Sequence, residues 1–256
     1  MKFKSQILNS TLGVIFKATA KYLKPDNFYS LSNNIIKILS IIVFPLVIYG
    51  LIAGLFLAPS DEVQGDGFRI IYVHVPAAFL SLFVYTNLAI FSGTYLVWRI
   101  KLFDILAKAS AEIGAVFTFI ALVTGSIWGK PMWGTWWIWD ARLTSELILL
   151  FLYWGYLAIR QSIPNDKSAA KIASFVAVLG IINVPIVHFS VNWWFTLHQG
   201  STISNITNIK IASSMAYPLI AMILSFVLLY VIITLLKVRN VILKNKLERL
   251  NLAGAI

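Results

Sequence analysis

The sequence has no cysteine. That excludes a disulfide framework, a thiolate metal site and a dithiol redox pair. Charge is also scarce. Only 12% of the 256 residues are charged, against 59% hydrophobic, and mean hydropathy is +0.82. A soluble domain of this length does not have that composition. Histidine occurs only three times, at His74, His188 and His198. No internal repeat or low-complexity linker interrupts the chain.

In place of charge there are long apolar runs, and several approach or exceed the roughly 18–20 residues that cross a bilayer as a helix. They predict six spans: 35–57, with a kink at Pro45; 75–98, with Pro76 in its first turn; 109–128; 143–159; 172–191; and 215–236. The predicted fold class is an all-α integral membrane protein, a bundle of six transmembrane helices with residues 35–236 as its membrane domain. Residues 1–34 carry lysines beside Leu8, Leu12, Ile15 and Phe16 at helical spacing, and read as an amphipathic arm on the membrane surface. Residues 237–256 form a basic tail.

The formal net charge of +11 could suggest nucleic acid, but in a membrane protein its distribution matters more than its sum. Most of the 21 basic residues fall in the arm, in 99–108, in 160–171 and in the tail. With six spans, all of these lie on one side. The positive-inside rule makes that side cytoplasmic, with both termini there. Arg69, Lys130, Arg142 and Lys210 are left for the three outward segments.

One of those segments holds five tryptophans, Trp128, Trp133, Trp136, Trp137 and Trp139, followed by Asp140 and Arg142. Gly129, Lys130, Pro131 and Gly134 are expected to keep the indoles off any long helix. Their spacing still allows Trp133, Trp136 and Trp139 to share a face. Membrane anchoring explains one or two interfacial indoles per span, such as Trp98, Trp154, Trp193 and Trp194, but not five in this stretch. All three histidines lie near the same outer face. Two imidazoles reaching across an apolar aromatic pocket can ligate an iron porphyrin from opposite sides. Indoles supply the apolar area, and Arg142, Lys130 or Arg69 could neutralise propionates. Spacing does not separate His188 from His198 as the second ligand. Two or three scattered histidines without cysteine serve a zinc site badly, since zinc needs three or four close ligands.

The run Trp133-Gly-Thr-Trp-Trp-Ile-Trp-Asp140 resembles the tryptophan-rich "WWD" signature of membrane haem-handling proteins in cytochrome c biogenesis. Its flanks 114–126 and 140–146, together with Ile-Ile-Tyr-Val-His-Val-Pro-Ala-Ala (70–78) and Trp-Trp-Phe-Thr-Leu-His-Gln-Gly-Ser-Thr (193–202), are similar to the cytochrome c maturation protein C (CcmC) family. The resemblance runs from span one to the end of span six and leaves the arm and tail uncovered. It implies a six-helix bundle in the bacterial inner membrane that holds haem b transiently, on the periplasmic side. His74 and His198 are then the axial ligands, and the signature from Trp128 to Asp140, with Arg142, contacts the haem. The Cys-x-x-Cys-His motif for covalent attachment is impossible here, so the haem can leave. The resemblance further implies hand-over to a periplasmic haem chaperone, aided by an ABC transporter.

On this reading the chain binds and transfers haem and has no turnover reaction of its own. Haem is expected edge-on against Trp133, Trp136, Trp137 and Trp139, with His188 lining the pocket. A transport subunit conducting haem or a small solute is the rival, but Asn87, Ser92, Thr118 and Asn183 make a thin polar path. A second rival is a scaffold whose tryptophans only anchor it and bind partners. Asp140 is expected to bond Arg142 and hold the loop. Glu112 and Glu146 are expected to cap or face water near the ends of their spans.

Overall fold

The computed structural model describes residues 25–198 and 211–252. The greater part of the amphipathic arm, together with Lys210, lies outside the described residues. Seven α-helices make up the described chain: α1 (Pro25–Ile52), α2 (Ile71–Trp98), α3 (Lys101–Trp133), α4 (Ala141–Ser162), α5 (Asp166–Gly180), α6 (Asn183–Trp193) and α7 (Ser213–Leu252). A π-helical turn, Ala53–Leu57, extends α1, and a 3₁₀ turn, Asp66–Ile70, leads into α2. With α5 and α6 taken as one broken element, six helical segments are long and apolar enough to cross a membrane. The chain is a multi-pass, all-helical membrane protein, as its apolar runs predict.

The closest pairing is α2 against α3, with α4 and α5 packed on one side and α1 and α7 on the other. Small residues bring the central helices together. Ala107, Ala111 and Ala115 repeat every four residues along α3, and Ala173 and Ala177 do so on α5. Tyr153 of α4 fills the space over Gly114, where any Cβ would collide with the phenol. Its hydroxyl donates to the Ser81 carbonyl of α2 at 2.8 Å, so one side chain joins three helices. Apolar surface elsewhere faces outward, as on α1 with Ile41, Phe44 and Phe56 exposed. Lipid covers such a surface in a spanning protein.

Several local expectations need correction. α3 does not stop at Trp128; it continues through Gly129, Lys130 and Pro131 to Trp133. Pro131 forfeits a single amide donor near the helix end, a loss the last turn absorbs. Gly134 ends the helix instead. Its φ of 77° is left-handed, and its amide donates to the Lys130 carbonyl at 3.1 Å. Trp128 and Trp133 are therefore helical residues, and only Trp136, Trp137 and Trp139 lie on irregular backbone. Pro76 is the sixth residue of α2, not part of its first turn, because the helix starts earlier than the apolar run. The fifth span breaks at the turn through Ile181 and Ile182. α7 continues past the last apolar run as far as Leu252.

The two ends of the bundle differ in chemistry. At the end where α3 begins and α4 finishes, Asp104 and Arg160 form an ion pair with side chains 1% and 4% exposed. Lys101 bridges Asp104 and Asp166 beside them, and Lys237 of α7 pairs with Glu112 of α3. The opposite end, where α3 finishes and α4 begins, carries the five clustered tryptophans and the three histidines.

Candidate functional site

His74 lies in the first turn of α2. Its Nδ1 is 3.1 Å from the Ala121 carbonyl and 3.0 Å from the Thr124 hydroxyl, both on α3. A carbonyl only accepts, so Nδ1 carries the hydrogen, and Thr124 spends its own hydrogen on the Ile120 carbonyl at 2.6 Å. Nε2 keeps its lone pair. The ring can approach this closely because residue 125 is glycine: a Cβ there would stand 3.1 Å from His74 Cε1. Trp128 meets the imidazole edge to face, with centroids 5.5 Å apart, and its indole N–H is pinned by Gln64 Oε1 at 3.0 Å.

His198 follows α6 on irregular backbone and is held in the same way. Its Nδ1 lies 2.8 Å from Asp140 Oδ2, and Trp133 meets the ring edge to face at 4.6 Å. Thr196 donates its hydroxyl to the same carboxylate and accepts the His198 amide at 3.1 Å. Asp140 also accepts the Leu143 amide at 2.8 Å and so caps α4. One carboxylate thus orients an imidazole and starts a helix. Burial opposes ionisation of Asp140, but the bonds from Thr196, Leu143 and His198 outweigh it and hold its pKa below the usual value. Burial lowers the pKa of His198 despite the Asp140 hydrogen bond that raises it, with Arg142 adding to the lowering. Burial thus favours the neutral imidazole, with Nδ1 donating to Asp140 and Nε2 open.

Arg142, in the first turn of α4, is near enough to act electrostatically on both His74 and His198. It does not pair with Asp140 as expected, since the Asp140 oxygens are already taken by His198, Thr196 and Leu143. Among the described residues its guanidinium has no hydrogen-bond or ion-pair partner. The other candidate cations are occupied. Arg69 is bound to Asp66 and to the Gly54 carbonyl, and Lys130 donates to the Gly134 carbonyl at 3.0 Å.

The five tryptophans do not form one shelf. Trp128 and Trp133 each flank one imidazole. Trp137 packs into the core of α2–α5, and Trp136 and Trp139 are 56% and 74% exposed. Ser126 ties the loop back by donating to the Trp136 carbonyl at 2.6 Å. His188 is exposed on α6, and among the described residues its one ring contact is with Phe189. Glu146 is not at the surface: it is 8% exposed, with Oε1 unpartnered. It lies just beyond the first turn of α4, beside Ser81 of α2.

Thr196, Thr124, Gln64 and Gly125 escaped the sequence reading. Only Thr196 left a signal there, a hydroxyl two residues before a histidine, the spacing of a local side-chain turn.

The family model described as "Heme exporter protein C" matches residues 18–253. The chain is 47% identical over 219 residues to the heme exporter protein C of Escherichia coli K12, covering 86% of this chain and 88% of that one. It is 45% identical over 228 residues to that of Haemophilus influenzae, with 89% and 93% covered. Against that of Bradyrhizobium diazoefficiens it is 42% identical over 231 residues, with 90% and 88% covered.

Proposed function

The chain belongs to the heme exporter protein C family, and from that premise we propose that it binds haem b reversibly at the periplasmic face of the bacterial inner membrane and passes it to a periplasmic haem chaperone during c-type cytochrome biogenesis. One observation carries the reading: two imidazoles, each tied at Nδ1 and open at Nε2, lie at one end of the bundle near an arginine whose guanidinium has no hydrogen-bond or ion-pair partner among the described residues. Histidines that ligate a metal have this form, because the Nδ1 partner fixes the tautomer and raises the basicity of Nε2.

Haem is the cargo. His74 and His198 supply its two axial ligands, and two imidazoles saturate the iron and leave no position for oxygen. Arg142 takes a propionate, for which its planar fork is suited. Trp128 and Trp133 fix the imidazole planes. Trp136 and Trp139, exposed beside the site, offer apolar surface to haem and to the chaperone. With no thioether bond, hand-over is an exchange of axial ligand, which an ABC transporter of the same maturation system assists. The protein carries out no turnover reaction of its own.

Charge supports this side. The segments 99–108 and 160–171 and the α7 extension carry most basic residues, at the end opposite the histidines, and basic ends stay in the cytoplasm. Titrating haem onto the purified, haem-free protein and then adding an apo acceptor tests the proposal. One haem is expected to bind per chain and to move to the acceptor. Haem that does not bind, or binds and never leaves, contradicts it.

A further inference from the structure

His74 and His198 are held by very different parts of the fold. His74 belongs to α2, an unbroken helix whose closest neighbour is α3. Its ring meets α3 at several points: the Ala121 carbonyl, the Thr124 hydroxyl and the Trp128 indole, with Gly125 tight against it. Moving this imidazole means moving a helix.

His198 hangs on α6, a short helix cut off from α5 by the turn through Ile181 and Ile182. Pro185 suits the break, because it has no amide to return to the Ile181 carbonyl and carry the α5 ladder onward. α6 packs chiefly on α4, through the narrow face of Asn183, Val187 and Ser190. At its base the Asn183 amide donates to the Ser145 carbonyl of α4 at 2.9 Å. Past its end, residues 192–195 are exposed, Phe195 at 92%. Among the described residues, the hydrogen bonds that tie 194–198 to the other helices both end on one atom, Asp140 Oδ2. This lever has a pivot at Asn183 and a single latch at Asp140.

We propose that the two axial ligands are not equivalent: His74 is the anchor, and His198, carried on the α6 lever, is the ligand that yields to an incoming one at hand-over. In that exchange the bond from His198 Nε2 to iron breaks, and its electron pair stays with the imidazole. A donor atom of the acceptor brings its own pair to the vacated position. No electron changes hands, so the iron keeps its oxidation state. The order follows from what each release disturbs. Freeing His198 undoes contacts at one carboxylate and one indole, whereas freeing His74 disturbs the packing of α2 on α3. The inference rests on the haem reading above.

The test uses cyanide, a small ligand for ferric haem, as the incoming group. Diethyl pyrocarbonate, which acylates an imidazole nitrogen only when it is free, reports which histidine has left the iron. The chain has just three histidines, so mass spectrometry reads each one separately. With ferric haem bound, His74 and His198 are expected to be protected and the exposed His188 to be modified. With cyanide added, His198 is expected to lose its protection while His74 keeps it. Thr196→Val removes one of the two bonds at the latch and should speed cyanide binding about three- to tenfold. Modification of His74, or of neither ligand once cyanide is bound, overturns the proposal. So does a haem complex that cyanide cannot enter, or an unchanged rate in Thr196→Val. A wild type that binds no haem overturns the haem reading itself, so the two failures are told apart.

Discussion

Asp140 Oδ2 lies 2.8 Å from His198 Nδ1 while the same side chain caps α4 through the Leu143 amide. The imidazole is therefore fixed to a rigid helix even though His198 itself follows the end of α6. Asp140→Asn keeps a capping side chain but removes the charge that orients and polarises the ring. It is expected to weaken haem binding about 10–100-fold with little loss of stability. Asp140→Ala should weaken binding as much and cost about 1 kcal/mol more in stability, from the lost cap. Haem titration beside thermal unfolding in detergent separates the two effects.

Gly125 plays the matching part for His74. An added methyl at 3.1 Å from Cε1 pushes the ring away from Ala121 and Thr124. Gly125→Ala is expected to lower haem affinity about tenfold or more while the protein still folds, since binding depends on sub-ångström placement of ligands. Unchanged affinity would show that His74 need not be held there.

Neighbouring tryptophans should respond in opposite ways. Trp137 is half-buried against the core, so Trp137→Ala is expected to cost about 2–3 kcal/mol. Trp136 and Trp139 are exposed, and alanine at either should change stability by no more than about 0.5 kcal/mol. The loss from those two appears as slower delivery of haem to an acceptor. Unfolding curves and transfer rates on the three variants check this.

Far from the site, Asp104→Ala removes the buried counter-charge of Arg160 and leaves the guanidinium only the exposed Asp166, at 2.9 Å. Removing one partner of a buried pair costs about 3–5 kcal/mol, of which Asp166 offsets a part. The melting temperature should fall clearly, while the visible spectrum of the haem that the folded fraction holds should not change.

The six segments were legible because each carries enough consecutive apolar residues to span a bilayer, a constraint that sequence alone expresses. Their ends were not. The run Gly129-Lys-Pro131 reads as a helix breaker, but breaking depends on how many backbone bonds are lost, and one near a terminus is tolerated. His74, His198 and the tryptophans were legible as residue types on one face. Their partners were not, because Ala121, Thr124 and Gln64 reach the site only through the packing of α2 on α3. Trp136 and Trp137 are adjacent in sequence and differ in burial, which no spacing rule resolves on irregular backbone. Glu146 near the end of a span suggested contact with water, and only the neighbouring α2 shows that it is enclosed.

The central claim is that His74 and His198 hold one haem between them. The most direct test is the visible absorption spectrum of the protein purified after expression with ample haem, beside His74→Ala, His198→Ala and His188→Ala. The account predicts a six-coordinate, low-spin spectrum in the wild type and in His188→Ala, and its loss in each of the other two. A haem-free wild type, or a spectrum lost in His188→Ala and retained in His198→Ala, would contradict it.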